Sequence, residues 1–167
     1  MRIGFIGAGK VGFTFGKYIT TKMVVSKPEH IQLEVSGYYS AHSESAADAA
    51  EFTETVMYNS LEELCSNSEV IFLTVPDGQI GEVWRRLKDL DIRGKIICHA
   101  SGAMTSDIFS GITEAGAFGY SIHPMYAISS KYESYKEVDN SFFTVEGDDR
   151  YADRICSCLL YTSPSPR

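Results

Sequence analysis

At 167 residues, with 44% hydrophobic and 22% charged side chains, the chain has the size and balance of one folded domain with a buried core. A formal net charge of −7 argues against nucleic acid or an anionic membrane as partner, because a phosphate surface selects for a basic face. No apolar run approaches the roughly 18 residues of a membrane span. Nor does a longer hydrophobic stretch lead to a cleavable small-residue site, as in a signal peptide. Cys65, Cys98, Cys156 and Cys158 lack CxxC spacing, so the expectation is a cytoplasmic protein in which Cys65 and Cys98 are buried thiols.

In chain order, Arg2–Ile6 is a short apolar strand that ends in glycine, and Val11 to about Lys22 carries Val11, Phe15, Tyr18, Ile19 and Met23 at helical intervals. A polar stretch with Pro28 leads to a second strand over Ile31–Tyr39, where Ile31, Leu33, Val35 and Gly37 alternate with residues of mixed polarity. Alanine-rich Ser43–Phe52 reads as a helix and Thr55–Tyr58 as a short third strand. Ser60 and Glu63 have the capping-box spacing that opens the next helix. Val70–Val75 is nearly continuous in apolar residues, as suits a parallel strand buried on both faces. Pro76-Asp77-Gly78 then breaks the chain before a helix carrying Ile80, Val83, Trp84 and Leu87, with Asp77 as its N-cap. Lys95–Cys98 repeats the strand pattern, Thr105–Ala115 is expected to be helical, and Phe118–Ile122 and Ser141–Glu146 are the last strands. Between those two, Lys131–Lys136 reads as a solvated loop or lid. Strands alternating with helices predict an α/β fold: a doubly wound, mostly parallel sheet with helices on both faces.

Gly7-Ala8-Gly9-Lys10-Val11-Gly12 satisfies GxGxxG, and it does so between a predicted strand and a predicted helix, the context that makes the motif a dinucleotide-binding one. Gly7 permits the tight turn, Gly9 lets the backbone approach a pyrophosphate, and Gly12 lets the helix pack closely on the strand. The anion then meets the N–H groups and positive dipole end of that helix. Enzymes that take NAD commonly carry a carboxylate at the end of the second strand to hold the ribose hydroxyls. Here the strand runs into Tyr39-Ser40-Ala41-His42-Ser43, and Glu34 lies too early. Ser40, His42 and Ser43 can donate hydrogen bonds to a 2′-phosphate, so the expected cofactor is NADP(H) in preference to NAD(H). Val75 and Pro76, at the carboxyl edge of the fourth predicted strand, are expected to line it.

Hydride transfer needs a proton donor or acceptor near the reacting carbon, and histidine titrates near neutrality. His99 and Ser101 follow the fifth predicted strand and His123 the sixth, so these candidates for catalysis fall at the ligand-binding edge. His123 is expected to polarise the substrate as acid or base, and Ser101 to hydrogen-bond the substrate or the nicotinamide carboxamide. Cys98, His99 and His123 show no ligand-spacing motif, and no metal is expected.

These residues carry a resemblance. The Gly7–Gly12 loop, Val75-Pro76-Asp77, His99-Ala100-Ser101-Gly102-Ala103 and Gly119-Tyr120-Ser121-Ile122-His123-Pro124-Met125, in that order, resemble the Rossmann-like proteins with a DUF2520 C-terminal domain, over residues 1–157. The resemblance implies the broad group of pyrroline-5-carboxylate reductases and 6-phosphogluconate-dehydrogenase-like enzymes. There an N-terminal Rossmann domain precedes a helical domain that helps form the substrate pocket and the dimer. It thus implies an oxidoreductase that moves hydride between nicotinamide and a small carbonyl, imine or hydroxy-acid substrate, as a homodimer when complete. His123-Pro124-Met125 is also similar to a motif of prephenate and arogenate dehydrogenases, with His123 and Ser101 at the matching positions, although Gly102-Ala103 departs from that pattern. A non-catalytic NADP(H)-binding sensor is the alternative of a different class.

The final stretch Cys158–Arg167 resembles the translation of a transposase adapter used in preparing short-read sequencing libraries. On that reading residues 1–157 form the NAD(P)-binding domain, residues 158–167 are foreign, and a C-terminal helical domain is missing.

Overall fold

The computed structural model describes residues 1–23 and 33–160. Pro28 and the expected strand start at Ile31 lie outside the described residues, as do residues 161–167 of the final stretch. The elements are β1 (Arg2–Ile6), α1 (Lys10–Met23), β2 (Glu34–Tyr39), α2 (Ser43–Thr53), α3 (Leu61–Asn67), β3 (Val70–Leu73), α4 (Asp77–Leu87), β4 (Ile96–His99), β5 (Phe118–Pro124), β6 (Phe143–Gly147) and α5 (Asp149–Leu160). The strands form one six-stranded sheet in the order β2-β1-β3-β4-β5-β6. Every neighbouring pair is parallel except β5 with β6.

Side-chain alternation along the strands divides the core between the two faces of this sheet. On one face Ile3, Phe5, Phe72, Cys98, Tyr120 and Ile122 pack with Phe13 and Phe15 of α1 and with Ala46, Ala49 and Ala50 of α2. On the other, Ile6, Ile71, Leu73 and Ile97 meet Leu61 and Leu64 of α3 and Ile80, Trp84 and Leu87 of α4. Near-continuous apolar runs such as Val70–Leu73 are therefore buried on both sides. Each such side chain contributes about 1.5–3 kcal/mol of burial free energy. Helices on both faces of a mostly parallel sheet are the expected doubly wound arrangement.

The expected third strand is reduced to a single parallel bridge between Met57 and Tyr38. Glu54 ends α2 in the left-handed conformation, with φ 58°, and Tyr58 must already turn toward the Ser60 cap of α3. Between them the backbone pairs with the β2 edge through Tyr38 N–H to Val56 O and Tyr58 N–H to Tyr38 O, and the Tyr58 hydroxyl donates to Ser36 O. Thr105–Ala115 is likewise not an α-helix. A short 3-10 turn, Ser106–Ile108, gives way to turns in which Gly111 and Gly116 take φ of +76° and +73°, and these left-handed residues interrupt the helical ladder. Asp77 is the first residue of α4 and Pro76 occupies the cap position, so the carboxylate of Asp77 meets the helix dipole rather than capping it. The strand anticipated at Ser141–Glu146 begins at Phe143. Helix α5, for which the sequence pattern carries no expectation, runs through Ser157 to Leu160. Within it Ile155 is buried against the first face.

Lys131–Lys136, anticipated as a solvated loop or lid, forms part of a strap laid across α1 and α2. Tyr132 meets the rings of Phe13 and Phe52 edge-on, with centroids 5.5 and 5.2 Å away, and its hydroxyl donates to Asp48. The Lys131 ammonium sits over the Phe13 ring, and Tyr18 farther along α1 donates to Asp139 at 2.6 Å.

Candidate functional site at the carboxyl edge of the sheet

β1 is flanked by β2 on one side and β3 on the other, and the chain leaves β1 and β3 toward opposite faces through α1 and α4. Such a switch point opens a crevice at the carboxyl ends of the strands. Gly7 turns the chain there with φ +102°, and an added Cβ would lie 2.8 Å from the Thr74 backbone. Its N–H donates to Tyr39 O at the end of β2, and its carbonyl accepts the Thr74 hydroxyl at 2.7 Å. Thr74 thus ties the glycine loop to the edge of β3. The sequence reading missed it, although a threonine closing an otherwise apolar run was the available signal.

Gly12 brings α1 against this turn, where a Cβ would stand 2.6 Å from Gly7 O. Its own carbonyl accepts the buried Tyr38 hydroxyl at 3.1 Å. At Gly16 the Tyr38 hydroxyl occupies the place a Cβ would take. Burial pushes the Tyr38 phenol well above its ordinary pKa and keeps it a neutral donor.

Gly9 is different. It is exposed, and a Cβ would meet only Thr74 O, at 3.9 Å. Phe13 N–H is the first to reach a helical acceptor, Gly9 O at 3.1 Å, so the preceding amides of Lys10, Val11 and Gly12 lie at the open start of α1. Ala8 is buried and Lys10 exposed beside it. A bare backbone surface next to a helix N-terminus fits a pyrophosphate. Beyond β2, Ser40 accepts the His42 N–H, while His42 and Ser43 stand exposed at the start of α2. Val75 is half-buried and Pro76 exposed at the β3 edge.

At the β4 and β5 edges the expected residues are brought together, with unequal access. His99 is fully buried. Its Nδ1 accepts the Ser101 N–H at 3.2 Å, and its Nε2 faces the Thr105 carbonyl, also at 3.2 Å. A carbonyl only accepts, so Nε2 carries the proton and the ring is the neutral Nε2–H tautomer. Burial also lowers its pKa, outweighing the Thr105 hydrogen bond and the negative charges of Glu146 and Asp77. Ser101 Oγ accepts the Ala103 N–H at 3.1 Å, and Ser121 donates to Met104 O across the same loop.

His123 is half-buried, with Nδ1 3.1 Å from Ala100 O. By the same argument Nδ1 carries the proton. Nε2 takes no hydrogen bond among the described residues and reaches the surface. Both histidines donate to the same loop, through opposite ring nitrogens. Only His123 has a nitrogen left to offer.

A family model of the Rossmann-like domain matches residues 1–124. The chain belongs to the Rossmann-like domain family. No curated protein matches it by sequence. Among solved structures, this Rossmann-like chain is similar to a candidate NADP oxidoreductase from Bacteroides fragilis, with TM-score 0.76, 18% identity, and coverage of 98% of this chain and 58% of that one. It is also similar to an imine reductase from Bacillus cereus, with TM-score 0.72, 13% identity and coverage of 97% and 52%. A third is 3-hydroxyisobutyrate dehydrogenase from Mycobacterium tuberculosis, with TM-score 0.67, 16% identity and coverage of 96% and 51%. The likeness is one of fold, and the chain spans a little over half the length of these neighbours. Among the described residues, no helix is long and apolar enough to cross a membrane.

Proposed function

We propose that this Rossmann-like domain binds NADP(H) as part of an oxidoreductase that moves hydride between nicotinamide and a small carbonyl, imine or hydroxy-acid substrate. The observation that carries this reading is the convergence of the Gly7–Gly12 loop, Val75-Pro76, Ser101 and His123 on one sheet edge, the first three following the carboxyl ends of β1, β3 and β4 and His123 lying in the last residues of β5, paired with Thr144. The names of the structural neighbours, imine reductase and hydroxyisobutyrate dehydrogenase among them, support the range of substrates. The resemblance to DUF2520 proteins supports a two-lobed homodimer, in which residues 1–157 hold the cofactor and a helical domain completes the pocket.

Gly9 and the amides of Lys10, Val11 and Gly12 would hold the pyrophosphate, with Ala8 beneath the turn. Ser40, His42 and Ser43 would receive the 2′-phosphate; no carboxylate lies between β2 and Ser43, and the first one after the strand is Glu44 in the first turn of α2. Val75 and Pro76 would line the path toward β4 and β5. The bound nicotinamide supplies or takes up the hydride. His123 Nε2 would hold the proton that leaves or returns to the substrate oxygen or nitrogen, and the Ser101 hydroxyl would donate to substrate or carboxamide. His99, sealed and doubly hydrogen-bonded, acts as a positioning residue for the loop that carries Ser101.

A fluorescence titration tests the cofactor. NADPH is expected to bind tighter than NADH, and equal affinity or tighter NADH binding overturns the preference. In the complete protein, full turnover by His123→Ala removes His123 from the mechanism.

A further inference from the structure

We infer that Gly102 and the Ala100 carbonyl together set His123 in one tautomer and one orientation, making Gly102 a positioning residue for the proton-transferring nitrogen. The inference rests on the proposed role of His123 and adds what its chemistry requires of the neighbouring loop. An ideal Cβ on Gly102 would stand 2.6 Å from both Cε1 and Nε2 of His123 and 3.0 Å from Cδ2. Real Cβ atoms essentially never approach that closely, so any side chain here forces the ring or the loop to move. Gly102 is exposed and does not require a left-handed φ. Neither core packing nor backbone conformation demands glycine there, and the space it keeps is the space beside Nε2.

The loop has little freedom to yield. Ser101 N–H is held by His99 Nδ1, Ser101 Oγ accepts the Ala103 N–H, and Ser121 donates to Met104 O. With the loop pinned on both sides of Gly102, an added methyl acts on the His123 ring. Among the described residues, the ring's one hydrogen bond is Nδ1–H to Ala100 O, at 3.1 Å. Turning the ring to relieve the contact breaks that bond and with it the preference for the Nδ1–H form.

The tautomer has a chemical consequence. A neutral His123 protonated at Nδ1 offers a lone pair at Nε2, so the reduced partner of the reaction, an alcohol or an amine, donates its O–H or N–H hydrogen to that nitrogen. In its oxidation the proton would pass to Nε2 and the O–H or N–H electron pair would become the second bond of the C=O or C=N, while a bound nicotinamide would take up the C–H pair as hydride. Reduction reverses each transfer, and the doubly protonated ring returns the proton.

The test is imidazole nitrogen NMR on the full chain labelled with 15N-histidine, His123 being assigned by the signals that vanish in His123→Gln. The wild type is expected to show His123 as the Nδ1–H tautomer, with the downfield shift of an unprotonated nitrogen at Nε2. Gly102→Ala, if its far-UV circular dichroism matches wild type, is expected to lose that pattern by gaining protonation at Nε2 or averaging the two nitrogens. Wild-type His123 found as the Nε2–H tautomer overturns the inference, and this spectrum decides even if Gly102→Ala does not fold. A folded Gly102→Ala with unchanged His123 signals overturns it as well. Failure of the underlying reading looks different: full turnover by His123→Gln removes the catalytic role while the tautomer result stands.

Discussion

The two ends of the ligand-binding edge are built by opposite means. At β1 and β3, side chains are missing: Gly7, Gly12 and Gly16 let backbone, Thr74 and Tyr38 occupy space that a Cβ would fill. At β4 and β5, side chains replace regular backbone pairing: His99, Ser101 and Ser121 hold an irregular loop through hydrogen bonds to its amides and carbonyls. The first end should fail when atoms are added and the second when they are removed. Gly102, where an absent Cβ admits a histidine ring, is where the two devices meet.

The harshest way to break the glycine end is Gly7→Ala, which combines φ +102° with a Cβ 2.8 Å from the Thr74 backbone. Strain and overpacking together are expected to cost about 3 kcal/mol or more, read as a collapse of the urea midpoint. At the histidine end, His99→Gln keeps a polar group but loses the ring geometry, for an expected loss of about 2 kcal/mol. The variant should also change the pH dependence. Burial depresses the His99 pKa in the fold, so the unfolded chain takes up this proton first. Its contribution is complete above the unfolded value of about 6.5 and is lost as pH falls below it toward the folded value. Wild-type stability should therefore decline through this window more steeply than that of His99→Gln. Equal slopes in urea melts across that range would remove His99 as the cause.

A smaller effect is expected of Tyr38→Phe, which removes the hydroxyl that reaches Gly12 O at 3.1 Å and should cost about 1 kcal/mol. The smallest effect on stability sharpens the comparison most. At Gly9 a Cβ would meet only Thr74 O, at 3.9 Å, so Gly9→Ala should melt within about 0.5 kcal/mol of wild type. If the bare surface over Gly9 holds a pyrophosphate, the same variant should lose at least about tenfold in NADPH affinity, roughly 1.4 kcal/mol. Loss of stability together with unaltered binding would make Gly9 one more packing glycine.

What the sequence determined by itself is local and contiguous. Apolar runs such as Val70–Leu73 and the spacing of Gly7, Gly9 and Gly12 depend on neighbours in the chain, and they were enough for the alternation of strands and helices and for the place of the glycine turn. The tertiary structure decided whatever depended on residues remote in sequence or on left-handed backbone. The strand expected at Thr55–Tyr58 shrank to the Met57 bridge between the Glu54 cap and the Ser60 cap, and Gly111 and Gly116 turned an expected helix into successive turns. It also separated His99 from His123. His99 ends β4 and His123 lies near the end of β5, and both were candidates from sequence, but a ring's role depends on which of its nitrogens is left without a partner. Folding closes Ser101 and Thr105 around both nitrogens of His99, while among the described residues it gives His123 only Ala100 O, at Nδ1.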